Sequence, residues 1–337
     1  MSDIETVFGP VPNTQETQWG LVEEYFSPLR AFYTDPSVTE IMVNRFDHIA
    51  IERNGTLEHT KARFDSEQAL QTFIEQVALC LDQNVGQDAP ILDARLPDCS
   101  RLCCTLPTVS PQGATLTLRV APRTLLSAAQ LVKFGAMTED MLAFLIEHVE
   151  QGSNLLISGN TGSGKTSLLR ALAKYIPLHE RVVTCEDTQE LFLEWLEHKV
   201  FLESPKRQNS SLEMKNLIET ALRMRPDRIW VGEIRNALAA DAFLQAINTG
   251  HTGCVTTLHA NSCKDAVRRL QYLIASSGLI DYGLAGQQIL GAVHVLVQTK
   301  RHPDFGRRIS EISLVEDGAI RPMFVFNPLT QQHEKVA

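Results

Sequence analysis

The segment from Gly159 to Thr166 constrains the fold more than any other part of the chain, because it fits the pattern G-x-x-x-x-G-K-[ST] of a phosphate-binding loop. The apolar run Leu155-Leu156-Ile157 precedes it and predicts a strand. The segment 167–175 follows with leucines at helical spacing and predicts a helix. A strand that turns into a helix through a glycine-rich loop is the context that such a loop needs. The chain is therefore predicted to contain an α/β domain built around this loop.

The residues of the loop supply the groups that bind a nucleoside triphosphate. Glycines let backbone N–H groups turn toward phosphate oxygens, and the N-terminus of the following helix adds positive potential. Lys165 adds a point charge, and the hydroxyl of Thr166 can reach Mg²⁺. We therefore predict ATP and Mg²⁺ as cofactors. The predicted nucleotide-binding residues are Gly159, Asn160, Thr161, Gly162, Ser163, Gly164, Lys165, Thr166 and Ser167.

The composition indicates a cytoplasmic protein that is long enough for two domains. The 337 residues are 44% hydrophobic and 21% charged, which is usual for globular proteins. No apolar run approaches the roughly 20 residues of a membrane-spanning helix, and residues 1–10 lack a signal-peptide pattern. Seven cysteines without a paired C-x-x-C predict neither a disulfide framework nor a zinc site. The net charge of −9 disfavours nonspecific binding to nucleic acid.

The succession of predicted elements divides the chain into two domains. A loose arm is expected over 1–15. An α+β domain is expected over 16–122, with a helix over 18–33 and a second helix after a capping box formed by Asp65 and Gln68. A linker over 123–136 then leads to the second domain. The predicted strands of the first domain cover 38–43, 48–52, 91–96, 101–106 and 115–120.

The second domain, expected over 137–337, alternates strands and helices around the phosphate-binding loop. This alternation is typical of a mostly parallel, doubly wound sheet. A terminal antiparallel hairpin is predicted around Asp317-Gly318. Besides those flanking the loop, the predicted strands cover 181–185, 228–231, 254–258 and 293–298, and the predicted helices cover 138–150, 212–224, 237–247 and 265–274.

Acidic residues follow two further predicted strands, where they can serve phosphate chemistry. Glu233 follows the strand 228–231, which we expect to lie beside the loop strand, and Glu186 ends the strand before it. A carboxylate at such a strand end can hold Mg²⁺ through water or orient the attacking water. Glu186 and Glu233 both remain candidates for the catalytic base. The neighbouring Asp187 and Glu190 are either part of this site or helix-capping and solvated acids.

Histidines and arginines complete the set of candidate catalytic residues. His251 and His259 bracket the strand 254–258, where they are either sensors of the γ-phosphate or ordinary core and surface histidines. Arg101 and Arg119 fall on the polar side of alternating strands in the first domain. Such arginines are either solvated and paired with acids or act as fingers that neutralise charge in the transition state.

Four segments resemble, in order, the Walker A, Asp box, Walker B and His box motifs of the secretion ATPase superfamily: GNTGSGKTSLLRAL, VVTCEDTQEL, ALRMRPDRIWVGEIR and NTGHTGCVTTLHANS. Three earlier segments resemble its N-terminal domain: DPSVTEIMVN, LDARLPDCSRL and TLTLRVAPRT. Within the superfamily the chain is most similar to the VirB11/CpaF/TrbB group, which comprises type IV secretion, conjugation and Tad-pilus ATPases. It has neither the tetracysteine insert of type II secretion ATPases nor the A-I-R-E motif of retraction ATPases. One residue departs from the pattern, because Cys99 stands where the family usually has glycine before Ser-Arg.

The resemblance implies a RecA-like P-loop NTPase domain in a homohexameric ring, with ATP between the two domains of each chain. It also implies a cytoplasmic enzyme that hydrolyses ATP and attaches to the inner membrane through components of a secretion or pilus machine. The implied roles are phosphate and Mg²⁺ binding for Lys165 and Thr166, hydrolysis and Mg²⁺ binding for Glu186 and Glu233, phosphate sensing for His251 and His259, and arginine fingers for Arg101 and Arg119.

Two other functions stay open at the level of the sequence. One is a nucleic-acid motor, such as a helicase or a packaging ATPase, although the acidic net charge and the absence of an aromatic and basic track count against it. The other is an adaptor that binds ATP and works by docking to membrane partners. The complete set of acids favours hydrolysis over this second alternative.

Overall fold

The computed structural model describes residues 16–121, 126–204 and 212–336. The predicted arm over 1–15 lies outside the described residues. The described chain up to 121 forms one compact unit, and from 126 onward it forms a second. Within these ranges no helix is long and apolar enough to cross a membrane.

The N-terminal unit packs helices against an antiparallel sheet. Its helices are α1 (Glu16–Tyr25), α2 (Ser27–Tyr33) and α3 (Glu67–Cys80). In the described part its sheet has six strands in the order β3-β2-β1-β6-β5-β4, each antiparallel to its neighbours. Trp19, Phe26, Tyr33, Phe64 and Phe73 are fully buried and form the centre of its core. The strands are β1 (Val38–Arg45), β2 (His48–Arg53), β3 (Thr56–His59), β4 (Ile91–Arg95), β5 (Arg101–Thr105) and β6 (Thr115–Arg119).

Two local predictions for this unit are wrong in detail. The single helix expected over 18–33 is interrupted at Phe26, because Pro28 lies in the first turn of α2 and has no N–H for continued helical bonding. The capping box expected from Asp65 and Gln68 is replaced by a simple cap one residue later. There the side chain of Ser66 accepts a hydrogen bond from the N–H of Ala69 at 3.1 Å.

The C-terminal unit is an α/β layer structure, and this confirms the predicted fold class. The segment 126–136, placed in a linker by the sequence, belongs to this unit, because its helix packs Leu131 into the same core as the loop strand. Its helices are α4 (Ala128–Lys133), α5 (Glu139–Glu150), α6 (Lys165–Ala173), α7 (Met214–Ala221), α8 (Ala237–Asn248), α9 (Cys263–Ser276) and α10 (Tyr282–Ala292). Its strands are β7 (Leu155–Gly159), β8 (Val182–Glu186), β9 (Lys199–Glu203), β10 (Arg228–Val231), β11 (Val255–Leu258), β12 (Val295–His302), β13 (Gly306–Glu316), β14 (Ala319–Asn327) and β15 (Gln332–Lys335).

The sheet order of this unit positions the candidate site. In the described chain the order is β15-β14-β13-β12-β7-β11-β10-β8-β9, with parallel pairing from β12 to β9 and antiparallel pairing from β12 to β15. The prediction that the strand before Glu233 lies beside the loop strand is wrong, since β11 lies between β7 and β10. The carboxyl ends of β7, β11, β10 and β8 nevertheless share one edge of the sheet. This edge is where ligands bind in parallel α/β sheets.

Candidate active site

The phosphate-binding loop adopts a conformation that depends on its glycines. It leaves β7 at Gly159 and enters α6 at Lys165, and the φ angles of Gly159, Gly162 and Gly164 are 155°, 69° and 102°. A Cβ atom added to Gly159 would lie 2.3 Å from Thr299 Oγ1. Glycine is therefore required at the start of the loop both for the backbone angle and for space.

Strand β12 anchors the loop from one side. The hydroxyls of Ser163 and Thr299 are 2.8 Å apart, and Thr299 Oγ1 also donates to the carbonyl of Ser158 at 3.0 Å. These bonds connect the loop, β7 and β12 at one point. The loop is therefore held in shape by bonds within this unit.

Lys165 places its ammonium group at the centre of the loop. The side chain is mostly buried, and Nζ donates to the carbonyls of Gly159 at 2.8 Å and Asn160 at 3.3 Å. Nζ also lies 3.3 Å from Nδ1 of His259, which follows β11. An anion in the loop would meet this charge together with the N-terminus of α6.

Glu233, His259 and Lys165 form one connected chain of polar groups. Nε2 of His259 lies 2.8 Å from Oε1 of Glu233, while Nδ1 of the same ring faces Lys165. Arg235 donates to Oε2 of Glu233 at 2.7 Å and lies 3.5 Å from Oδ2 of Asp187. The structure thus brings together Lys165, His259 and Glu233 as the sequence predicts. Sequence reasoning missed Arg235, although it is the second residue after Glu233 and could have been noted as its partner.

Glu186 has a different environment from Glu233. Its side chain is 3% exposed, and Oε1 accepts hydrogen bonds from the N–H groups of Glu190 at 2.9 Å and Leu191 at 3.1 Å. Burial raises the pKa of Glu186 to about 7, and the two backbone bonds only partly oppose this shift.

Asp187 and Glu190 do not cap a helix, since the segment after β8 is irregular. Asp187 faces Arg235, and Glu190 lies 3.7 Å from Arg170.

The structure separates the two predicted sensor histidines. His259 follows the carboxyl end of β11, whereas His251 precedes its amino end and contacts the hydroxyl of Thr249 at 3.3 Å. Because β11 is parallel to β7, His251 lies at the edge of the sheet opposite the loop. Within one chain, His259 is therefore the histidine that the phosphate loop can use.

The predicted arginine fingers lie side by side in the N-terminal unit. Arg101 on β5 pairs directly with Arg119 on β6, and Arg95 on β4 pairs with Arg101 from the other side. Arg119 Nε lies 4.0 Å from a carboxylate oxygen of Glu40. Like charges directly opposite on neighbouring strands are destabilising, and the row ends at an acid, because Glu40 on β1 pairs with Arg119 from the other side. Sequence reasoning missed Arg95, which strand register alone reveals.

The turn that presents Arg101 places its cysteine in a left-handed conformation. Cys99 has φ of 70°, a left-handed conformation that favours glycine. The side chain of Asp98 holds the turn, since Oδ1 accepts from the N–H of Ser100 at 2.9 Å. Tyr33 supports it from the core by donating to Oδ2 of Asp98 at 2.5 Å. Cysteine therefore occupies a glycine-type position at a cost of about 1 kcal/mol.

The residues beside the phosphate-binding loop include oxygen donors that a magnesium nucleotide could use. Among the described residues, no three His, Cys, Asp or Glu side chains form a cluster that could hold a metal ion. Mg²⁺ typically binds through one or two protein oxygens, several waters and substrate phosphates. Thr166 in the first turn of α6 and Glu233 can supply such oxygens.

Comparisons with known proteins agree on the family. The family described as type II/IV secretion system protein matches residues 23–300. A putative conjugal transfer protein of Mycobacterium tuberculosis is 31% identical over 329 residues, with 94% of this chain and 90% of that protein covered. The type IV secretion system protein VirB11 of Bartonella quintana is 31% identical over 315 residues, with 81% and 87% covered.

A solved structure supports the fold independently. The ATPase DotB of Legionella pneumophila has a TM-score of 0.60 at 21% identity, and the comparison covers 91% of this chain and 82% of that one. The chain belongs to the type II/IV secretion system protein family.

Proposed function

We propose that this member of the type II/IV secretion system family is an ATPase that drives transport by a type IV secretion, conjugation or pilus apparatus. The observation that supports this proposal best is the connected chain of Lys165, His259 and Glu233 at the carboxyl edge of the sheet. A phosphate-binding loop alone explains nucleotide binding. A carboxylate linked to the loop lysine through one histidine adds the machinery for hydrolysis.

In the proposed mechanism, the phosphate loop binds ATP through backbone N–H groups and Lys165. Thr166, and Glu233 through water, would hold Mg²⁺, which would supply positive charge against the phosphates. Glu233 orients the attacking water and accepts its proton, a contribution of about 10²–10⁴ in rate. His259 senses the γ-phosphate, because Lys165 must turn from its present carbonyl partners and from His259 when it binds phosphate.

The contacts favour Glu233 over Glu186 as the base. The carboxylate of Glu186 is buried and accepts two backbone hydrogen bonds, which hold the segment after β8 in place. The partners of Glu233 are side chains that can rotate away, namely Arg235 and His259. We therefore assign Glu186 a positioning role.

The wider biological proposal rests on the relatives. They are a putative conjugal transfer protein and VirB11 proteins of type IV secretion systems. We propose that the chain forms a homohexameric ring in the cytoplasm and docks to inner-membrane components of such a machine. Arg101 and Arg119 then serve as arginine fingers for a nucleotide, because neither lies in the unit that carries the phosphate loop.

Phosphate release under saturating Mg-ATP tests the proposal. The wild type should turn over, Glu233→Gln should bind ATP but lose about 10²–10⁴ in rate, and Glu186→Gln should lose less. Glu316→Gln, on the exposed surface of β13, serves as the matched control and should behave as wild type. No turnover in the wild type would favour an ATP-gated adaptor, and turnover that depends on added DNA would favour a nucleic-acid motor.

A further inference from the structure

A hairpin formed by the end of β12 and the start of β13 extends past the end of the loop strand. Thr299 on β12 pairs with Gly159 at the end of β7, and β12 continues to His302. In this extension Arg301 pairs with Arg307, and Lys300 pairs with Arg308. These two pairings bring four basic residues together at the end of the hairpin. The acid within the hairpin turn is Asp304.

The two paired arginines of this hairpin lie against the phosphate-binding loop. Nε of Arg307 donates to the carbonyl of Gly162 at 2.8 Å, and its Cδ would lie 3.5 Å from a Cβ atom added to Gly164. The guanidinium of Arg301 would lie 3.7 Å from a Cβ atom added to Gly162. Both side chains are exposed. The hairpin therefore adds positive charge to the outer side of the loop.

The sheet order determines which part of a nucleotide meets this charge. β11, β10 and β8 lie on one side of β7 and carry His259, Glu233 and Glu186, whereas β12 and its arginines lie on the other. The γ-phosphate must face the groups that hydrolyse it. A nucleotide that runs across the loop therefore directs its α-phosphate and nucleoside toward β12.

We propose that Arg301 and Arg307 form a second part of the nucleotide site, which binds the α-phosphate and borders the nucleoside. This inference rests on the proposed ATPase function. A guanidinium has five N–H donors, so the bond from Arg307 to Gly162 is compatible with a contact to phosphate. Its planar face can also stack on a purine, which a lysine cannot do. This second part of the site recognises the α-phosphate and nucleoside of a nucleoside di- or triphosphate, whereas the phosphate-binding loop alone binds an inorganic polyphosphate.

Calorimetric titration with ADP and with pyrophosphate tests this assignment, because pyrophosphate has neither an α-phosphate ester nor a nucleoside. The variants are Arg301→Ala and Arg307→Ala. Arg321→Ala is the matched control, since Arg321 is an exposed arginine on β14 that pairs with Glu316. We expect a 10- to 100-fold loss in ADP affinity for each variant, about the effect of one charged hydrogen bond, and a much smaller loss in pyrophosphate affinity. The control should match the wild type for both ligands.

The outcomes separate this inference from the proposed function. Wild-type affinity for ADP in both variants would overturn the role of the arginines, even if the wild type hydrolyses ATP. An equal loss for ADP and pyrophosphate would also overturn it, since the arginines would then only shape the loop or attract anions in general. A wild type that binds neither ligand would refute the proposed function itself. Arg307→Ala removes the bond to the carbonyl of Gly162 and could unfold the loop. Arg301→Ala leaves that bond in place, so its ADP affinity still decides the test.

Discussion

Replacing Glu186 by glutamine is expected to stabilise the protein at pH 8 and to change its stability little near pH 4.5. The carboxyl group is 3% exposed, and burial raises its pKa from 4.5 to about 7. One pKa unit corresponds to about 1.4 kcal/mol, so ionised Glu186 costs on the order of 3 kcal/mol of unfolding free energy at pH 8. Glutamine occupies nearly the same volume and carries no charge.

The sign of the effect follows from proton binding. Between pH 4.5 and about 7 the folded state keeps the Glu186 proton that the unfolded state releases. Stability from this group is therefore fully present below pH 4.5 and is lost as the pH rises through about 7. The amide retains the important contacts, since its oxygen can replace Oε1 as acceptor for the N–H groups of Glu190 and Leu191.

Urea unfolding without nucleotide or metal measures this effect. The difference in unfolding free energy between Glu186→Gln and wild type should rise with pH by about 2–3 kcal/mol between pH 5 and pH 8. Glu316→Gln, an exposed control, should show no such trend. A variant that is no more stable than wild type at pH 8 would mean that Glu186 is not a buried ionised group with a raised pKa.

Three further predictions concern the loop and the assembly. Lys165→Ala should abolish tight binding of ATP, because the loop loses its positive charge against the phosphates, and fluorescence titration checks this; unchanged affinity would contradict the loop assignment. Gly159→Ala should lower both nucleotide affinity and melting temperature, because its Cβ would meet Thr299 and Ser163 within 2.5 Å; wild-type behaviour would show that the loop is not rigid. Light scattering with Mg-ATP should give a mass near six chains, and a fully active monomer would exclude the ring.

The sequence predicts the phosphate-binding loop and its flanking elements well because their signals are local. Buried leucines before Gly159 and helical leucines after Thr166 specify strand, turn and helix within about twenty residues. The carboxyl ends of strands that carry Glu233 and His259 are equally local features. For these elements the structure confirms the predicted positions to within a few residues.

Other features depend on register and strand order, which hydrophobic patterns do not encode. The position of β11 between β7 and β10 is a property of the whole sheet. The sequence therefore predicts β10 as the neighbour of β7, whereas the neighbour on that side is β11. The pairing of Arg301 with Arg307 and of Arg95 with Arg101 also requires register. Helix α10 is not predicted because its sequence YGLAGQQILGA holds three glycines, which lower helix propensity.

The interposed strand β11 has a direct consequence for the chemistry of the site. Neighbouring strands lie about 4.8 Å apart, so β7 and β10 are separated by about 10 Å. If β10 were beside β7, Lys165 and Glu233 would be close enough to form a direct ion pair and neutralise each other. With β11 between them, His259 bridges the two charges, with Nδ1 toward Lys165 and Nε2 toward Glu233. In the proposed hydrolysis, a γ-phosphate and an attacking water would lie between the lysine and the glutamate, in place of the contacts that His259 now makes with these two side chains.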